Sequence, residues 1–468
     1  MSSHAPTSPS EALAGLWRLL GQPEAALSRV TLTGSEPALP SSFAVGTAAQ
    51  ASIAASALAA AELDRLRTGR EQSVSVDMRH AAVEFRSERY LRVEGGPAPE
   101  LWDSIAGTYR CGDGRWVRLH TNFPHHRAGV LALLGCAGER AAVAEALKSW
   151  KAQDFEQKAA EARLVVTAMR SFAEWDAHPQ GQAVAALPVM SLEKIGEAEP
   201  LSLPPGERPL SGVRVLDLTR IIAGPVGGRT LAAHGADVLL VTAPHLPSVA
   251  PLVIDTGRGK RTAQLDLRAA ADKERFAALL QDAHVLVQGY RPGGIEALGF
   301  GPAQAAAIRP GIIYVTLSAY GHEGPWAGRR GFDSLVQTAS GLNVAEAEAA
   351  GIDGPKPLPA QALDHASGYL MAYGAMAALA RQIQEGGSWH VRVSLAQTGR
   401  WLRGLGRIEG GFSAADPGQA EIADLLEDSE SGFGRLTAVR HAGLLSETPP
   451  RWERPSMPLG SHKAVWED

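Results

Sequence analysis

Two largely apolar runs, joined by a Gly-Pro turn and a short amphipathic segment, limit the folds available to residues 213–241. The runs are Val213–Leu218, with Arg214 and Asp217 inside it, and Val238–Val241, and Gly224-Pro225 lies between them. Runs in which apolar residues predominate without strict alternation are typical of strands covered on both faces, as in parallel sheets. The pattern therefore predicts a Rossmann-like strand–helix–strand unit. A loop that follows such a strand and opens a helix presents free backbone N–H groups to anionic ligands.

Length and composition fit a two-domain protein of the cytoplasm. The chain has 468 residues, and its 45 basic against 50 acidic side chains give a net charge of −5. This balance gives no reason to expect nucleic acid or an anionic membrane as a partner. Cys111 and Cys136 form neither a metal-binding spacing nor a disulfide framework. Met1–Ser10 shows no secretory signal, and the flanking charges of Ala48–Leu63 predict a buried helix rather than a membrane span.

Further motifs follow the first in a fixed order within residues 211–402. They are Arg258–Arg268, Val285–Gly293, Ile312–Gly321, Gly331–Gly341 and Leu363–Gly368. Together with Arg214–Val241 they resemble the family III CoA-transferases of the CaiB/BaiF type. The resemblance implies an α/β fold, in which a Rossmann-like parallel-sheet large domain is joined to a smaller α+β domain.

Residues 44–85 and 361–402 read as two copies of one unit, each a long helix, a glycine stop and a short strand. The constant offset places Thr47 opposite Asp364, so the first copy lacks the carboxylate. In the family the small domain follows the catalytic aspartate, whereas here the segments similar to it precede Asp364. We therefore expect a rearranged form with a degenerate N-terminal half-copy.

This order predicts four parts of the chain. Residues 1–85 hold a helical region and the degenerate copy, and 86–195 form the small α+β domain. The apolar alternation around Gly112-Asp113-Gly114 predicts a hairpin within that domain. Residues 196–210 are a proline-rich linker, and 211–468 form the large domain with the carboxyl-terminal return.

The resemblance makes Asp364 the catalytic nucleophile of a CoA-transferase. In such an enzyme an aspartate attacks an acyl-CoA thioester, and an aspartyl anhydride and an aspartyl-CoA thioester then carry CoA to a carboxylic acid. The alternative is that Asp364 merely caps the predicted helix Ala366–Gln382, a role worth about 1 kcal/mol. Both roles are compatible with the sequence. The substrates implied are acyl-CoA and a carboxylic acid, with no permanently bound cofactor and no metal.

Other positions match the family's CoA contacts. They are Ile222, Ala223, Gly224, Leu265, Arg268, Gly289, Tyr290 and Arg330. Their alternative roles are a tight strand–helix turn for the first three and a solvated surface side chain for Arg268. Lys260 and Arg261 are expected either to neutralise phosphates or to form an ordinary charged turn. Residues 93–109 lack the polyglycine loop of some transferases.

The sequence is also compatible with functions other than CoA transfer. The racemases of the same fold need a histidine before the aspartate, where this chain has Phe332-Asp333. His365 follows Asp364 directly, and adjacent helical residues point in different directions. A lyase and a non-catalytic CoA-binding relative remain possible, whereas a dinucleotide enzyme lacks its glycine motif after Leu216. The resemblance also implies an interlocked homodimer, in which the small domain of one chain covers Asp364 of its partner.

Overall fold

The structure is a computed structural model that describes residues 5–467. The helices are α1 Pro9–Leu19, α2 Val45–Thr68, α3 Met78–Glu84, α4 Ser87–Tyr90, α5 Pro124–Leu134, α6 Arg140–Leu147, α7 Ala152–Glu161, α8 Phe172–Ala177, α9 Pro179–Ala185, α10 Ala223–Ala233, α11 Ala250–Thr256, α12 Ala270–Gln281, α13 Pro302–Ile308, α14 Asp333–Ala339, α15 Leu342–Ala350, α16 Ala362–Glu385 and α17 Leu395–Gly404. The strands are β1 Val30–Thr33, β2 Val74–Asp77, β3 Arg92–Val93, β4 Gly107–Arg110, β5 Trp116–Leu119, β6 Val166–Ala168, β7 Met190–Gly196, β8 Arg214–Leu218, β9 Asp237–Thr242, β10 Lys260–Gln264, β11 Val285–Gln288, β12 Ile313–Ser318, β13 Ser388–Ser394, β14 Leu426–Ser429, β15 Leu436–Val439 and β16 Leu444–Leu445.

A seven-stranded sheet in the order β10-β9-β8-β11-β12-β13-β7 forms the centre of the large domain. All its pairings are parallel except that of the edge strand β7 with β13. Alternate residues of each strand enter separate cores: Val215 and Val285 pack on one face, and Leu216 and Leu286 on the other. Since both faces are covered, the strands read as largely apolar runs. The predicted Rossmann-like α/β fold is confirmed.

The small domain contains a three-stranded antiparallel sheet, β4-β5-β6, packed against α5, α6 and α7. The predicted hairpin joins β4 to β5, and Gly114 adopts a positive φ of 78° in its turn. At the end of the predicted range 86–195, β7 leaves this domain and pairs with β13 of the large sheet. The small domain is thereby tied to the sheet against which α16, the helix that carries Asp364, packs.

Strand β2 of the first copy pairs with β1 and β16 in a smaller three-stranded sheet, against which α2 packs. Helix α2 also packs along α16, and both helices are rich in alanine, which allows their backbones to approach closely. Strand β2 and helix α3 follow α2 in the same order in which β13 and α17 follow α16. Within residues 5–467, none of the helices combines the length and the apolar character needed to span a bilayer.

Candidate active site

Asp364 is the third residue of α16 and is buried, with 6% of its surface exposed. The first turn of this helix is capped by another carboxylate: Asp333 Oδ2 accepts hydrogen bonds from the N–H groups of Leu363 at 2.8 Å and Asp364 at 3.0 Å. The alternative that Asp364 is itself the N-cap is therefore wrong. Because Asp333 satisfies these backbone donors, the Asp364 carboxylate is not needed for capping.

The Asp364 side chain borders a cavity of about 40 Å³, enough for a few atoms of substrate. Glu88 and Arg89, which follow the first copy, form one wall, and the small domain contributes another. The complete lining is Glu88, Arg89, Leu101, Trp102, His120, Asn122, Ile221, Ile222, Leu252, Phe332, Ser334, Gln361 and Asp364. The ring of His120 stacks on Phe332 of the large domain at 3.9 Å between centroids. The chain's own small domain thus covers its own Asp364, contrary to the expectation that a partner's would.

Carboxyl groups crowd this cavity. Burial, together with the charges of Asp333 and Glu88, raises the pKa of Asp364 well above its usual range. Burial also raises the pKa of Asp333 to about 6, although hydrogen bonds from Asp364 N–H and Gln337 oppose the shift. A poorly solvated carboxylate of raised pKa is a stronger nucleophile once it is ionised.

His365 points away from this cavity. Its Nε2 lies 3.0 Å from Glu88 Oε2, and its ring stacks on Phe85 at 5.5 Å. The predicted divergence of Asp364 and His365 is confirmed, because only the aspartate lines the cavity. Burial opposes ionisation of Glu88, but the neighbouring His365 and Arg89 prevail and lower the pKa of that carboxyl.

A cleft of about 440 Å³ adjoins the Asp364 cavity, and Ile221 and Phe332 line both spaces. Most of its walls come from the segments that follow strands β8 to β12, at the carboxyl edge of the parallel sheet, and Phe123, His125 and His126 of the small domain line it as well. Ligands of open α/β sheets bind at this edge. Ile221 adopts a positive φ of 78°, which is strained for a β-branched residue, at the point where the two spaces meet.

Several of the predicted CoA contacts do line the cleft: Leu265, Arg268, Gly289, Tyr290 and Arg330. The side chain of Arg268 is 62% exposed and pairs with Asp266 at 2.7 Å. Arg330 donates hydrogen bonds to the carbonyl of Arg163 at 2.8 Å and to His126.

Residues 222–224, which the sequence places in a tight turn, do not share one environment. Ile222 lines the Asp364 cavity, whereas Ala223 and Gly224 line neither the cavity nor the cleft. A Cβ at Gly224 would lie 2.3 Å from the side chain of Thr219, so this glycine is required for packing. The carbonyl of Ala223 would lie 2.5 Å from a Cβ at Gly368 of α16. Ala223 and Gly224 thus contact other elements of the fold, and their contacts with CoA stay a prediction.

Lys260 and Arg261 are both buried in ion pairs. Lys260 Nζ lies 2.8 Å from Asp217, and an Arg261 nitrogen lies 2.7 Å from Asp237. Neither reaches the cleft, so the expectation that they neutralise phosphates is wrong. Glu88 also lines the Asp364 cavity, and nothing in its local sequence marks this position or the contact with His365.

The fold and site are those of an α/β protein that places a buried carboxylate beside a cleft large enough for a nucleotide. The family model described as CoA-transferase family III matches residues 2–202 and 210–419. The chain therefore belongs to this family.

Individual relatives are similar over shorter stretches. An acyl-CoA transferase of Gibberella moniliformis is 28% identical over 368 residues, which cover 69% of this chain and 64% of that protein. A probable fatty acyl-CoA transferase of Mycobacterium tuberculosis, Rv3272, is 34% identical over 201 residues, 40% of this chain and 50% of that protein. A crystal structure of Rv3272 covers 42% of this chain and 57% of its own, with a TM-score of 0.39 and 33% identity. The chain spans between about a third and two-thirds of the length of the curated relatives it matches.

Proposed function

We propose that this protein is a CoA-transferase that moves CoA from an acyl-CoA thioester to a carboxylic acid. The observation that carries the proposal is the placement of Asp364. It is a buried carboxylate, not needed as a helix cap, and it borders a small cavity that shares the lining residues Ile221 and Phe332 with a 440 Å³ cleft. The cavity suits the acyl group, and the cleft suits the nucleotide and its pantetheine arm. Homologues of this family carry the names of CoA-transferases.

The proposed reaction has four covalent steps. The Asp364 carboxylate attacks the thioester carbonyl, the C–S bond breaks, and CoA leaves as thiolate. The thiolate attacks the aspartyl carbonyl of the resulting anhydride and releases the donor acid as carboxylate. The acceptor carboxylate attacks the aspartyl-CoA thioester and again releases CoA thiolate. This thiolate attacks the acceptor's acyl carbonyl, which forms the new acyl-CoA and restores Asp364.

Groups around Asp364 support these steps. The Ser334 hydroxyl lines the cavity and, within residues 5–467, has no hydrogen-bond partner. It is therefore available to donate to the oxyanion that develops on the attacked carbonyl. Raised pKa values at Asp364 and Asp333 mean that the nucleophile ionises above the usual range of a carboxyl.

We further propose roles for the cleft residues. Tyr290 and Leu265 contact the adenine, Arg268 and Arg330 face phosphates, and Gly289 leaves room for the nucleotide. Ile222 contacts the acyl end, and the turn formed with Ala223 and Gly224 holds it in place. We also propose a cytoplasmic homodimer in which each chain holds its own site. We also propose that the small domain begins at residue 86, the linker at residue 196 and the large domain at residue 211, and that β7 of the small domain completes the large sheet.

The test is mass spectrometry of the Asp364 peptide after incubation with a panel of acyl-CoA thioesters and a hydroxylamine quench. A hydroxamate at Asp364 that requires acyl-CoA supports the covalent carboxylate. Asp364→Asn protein is the control for adventitious modification. An unmodified peptide, despite CoA binding and turnover of the thioester, would contradict the mechanism.

One observation favours a second candidate, an acyl-CoA racemase. His120 lines the same cavity as Asp364 and would provide an acid–base partner. Burial and the nearby charges of Arg118 and His126 lower the pKa of His120 to about 3, so this imidazole is a weak base and the transferase is preferred. Incorporation of deuterium from solvent at the α-carbon of an acyl-CoA, without transfer to an added acid, would favour the racemase.

A further inference from the structure

A side cavity of about 90 Å³ lies beside the cleft, between the small and large domains. Four arginines line it. Arg163 comes from the turn after α7 in the small domain, and Arg291, Arg329 and Arg330 come from loops of the large domain. The last three also line the cleft, so the two spaces share a wall.

Within residues 5–467, none of these four guanidinium groups forms a salt bridge. Arg163 and Arg291 are exposed, and Arg329 and Arg330 are half-buried. The fully buried Arg229 and Arg258, in contrast, both pair with Asp255. Arg330 donates instead to the Arg163 carbonyl, and Arg329 donates to the Gln157 side-chain oxygen at 3.1 Å. Burial and the charges of Arg291 and Arg163 lower the pKa of Arg330, as expected for cations placed together without a counter-ion.

Arg163 occupies a backbone position that favours glycine. It follows the end of α7 with a φ of 59°, and the N–H groups of Arg163 and Leu164 donate to the carbonyls of Ala160 and Ala159. This is a Schellman motif, whose left-handed residue is most often glycine because a side chain is strained there. An arginine at this position places a cation at the mouth of the side cavity at a cost in backbone strain.

We propose that this side cavity is a phosphate site, which holds one of the phosphate groups of the bound CoA thioester. The inference rests on the proposed function, since CoA is its ligand. Guanidinium groups recognise phosphate oxygens by paired, charge-assisted hydrogen bonds. Because Arg163 belongs to the small domain and the other three arginines to the large domain, the phosphate would also hold the two domains together over the acyl end.

The experiment measures displacement of a labelled CoA thioester from the 468-residue protein by CoA, by 3′-dephospho-CoA and by pantetheine. The variants are Arg163→Gly and Arg329→Gln. The matched control is Arg110→Gln, which removes one exposed cation of the small domain away from both cavities. We expect Arg163→Gly to fold at least as well as the unmodified chain, because glycine suits the turn, and its thermal midpoint verifies this.

Each of the two variants is expected to weaken CoA binding about tenfold, the effect of one charge-assisted contact, and to leave pantetheine binding unchanged. If the loss disappears with 3′-dephospho-CoA, the 3′-phosphate occupies the cavity; if it persists, the diphosphate does. Inorganic phosphate should compete with CoA.

Three results would overturn the assignment: unchanged CoA binding in both variants, an equal loss for pantetheine, or phosphate binding to CoA-saturated protein. Any of these, with CoA still bound by the unmodified protein, leaves the proposed function intact. Absence of CoA binding by the unmodified protein would instead refute the proposed function and this inference with it.

Discussion

Helices α2 and α16 each contain 24 residues, and each follows a residue with nearly the same backbone angles. These residues are Ala44, with φ −75° and ψ 61°, and Gln361, with φ −76° and ψ 62°. A distant carboxylate caps each first turn. Glu36 accepts from Thr47 N–H at 2.7 Å, as Asp333 accepts from Asp364 N–H at 3.0 Å.

The two copies differ in what lies at and around the third residue of the helix. Asp364 borders a cavity, whereas the start of α2 is tightly packed: a Cβ at Gly46 would lie less than 3 Å from Ala38 and Met78 side-chain atoms. The first copy's sheet has three strands, and the cleft is built on the strands of the seven-stranded sheet. The carboxylate cap is therefore a structural feature common to both copies. Catalysis needs in addition a carboxylate that is not used as a cap and a cavity beside it.

The largest expected effect comes from removing the carboxylate that distinguishes the second copy. Asp364→Asn should lower acyl-transfer activity by about 10³-fold or more, because the covalent route is lost. A carboxyl of raised pKa favours the folded state while it is protonated, and this contribution is lost as pH rises through the folded-state pKa. The variant should therefore unfold at a higher temperature than the unmodified protein at pH 8, with a smaller difference at pH 5. Equal activity in the variant would contradict the account.

Creating the carboxylate in the first copy should harm the fold and give no second site. Thr47→Asp places a charge at a buried position beside the half-buried Glu36, whose own pKa burial already raises, and we expect a loss of about 3 kcal/mol in unfolding free energy. Thr47→Asn is the neutral control, with a loss of about 1 kcal/mol or less. Denaturant unfolding measures the difference. Hydroxylamine trapping of an acyl group at position 47 would show that the first copy is not merely structural.

Neutralising the two capping carboxylates should have similar effects on stability but different effects on the pH dependence of activity. Asp333→Asn and Glu36→Gln should each cost about 1–2 kcal/mol, because both oxygens of each carboxylate accept hydrogen bonds and an amide keeps only one accepting oxygen. Only Asp333→Asn should move the acid limb of the kcat/KM profile to lower pH, because the Asp333 charge raises the pKa of Asp364. A similar shift of the acid limb in the Glu36→Gln protein would contradict this difference between the two caps.

The smallest effect is expected at the exposed rim of the cleft. Arg268 is ion-paired with Asp266 and largely solvated, so Arg268→Gln should raise KM for acyl-CoA about two- to threefold and leave kcat unchanged. Added salt should reduce the difference between the two proteins. A large fall in kcat would place Arg268 closer to the reacting atoms than the structure does.

Local patterns predict the sheet and the duplication well. The apolar runs at β8 and β9 mark buried strands, and the constant offset between the copies identifies Thr47 as the counterpart of Asp364. Contacts between distant residues carry no such pattern. His365 meets Glu88 across 277 positions, and the carboxylates that pair with Lys260 and Arg261 lie on other strands of the sheet. Roles assigned from residue type alone therefore fail where a non-local partner decides the environment.

The most direct test of the central claim, that one chain builds a complete site from its second copy and its own small domain, is complementation between two inactive variants. Asp364→Asn removes the nucleophile, and Asn122→Trp fills the small cavity from the small-domain side. The two proteins are co-expressed with different tags, and the complexes that carry both tags are purified.

The account predicts no recovery of activity, because each chain carries one defective component of its own site. A result of about half the activity of the unmodified dimer in the mixed complex would contradict it. Such recovery would mean that the small domain of one chain covers Asp364 of the other.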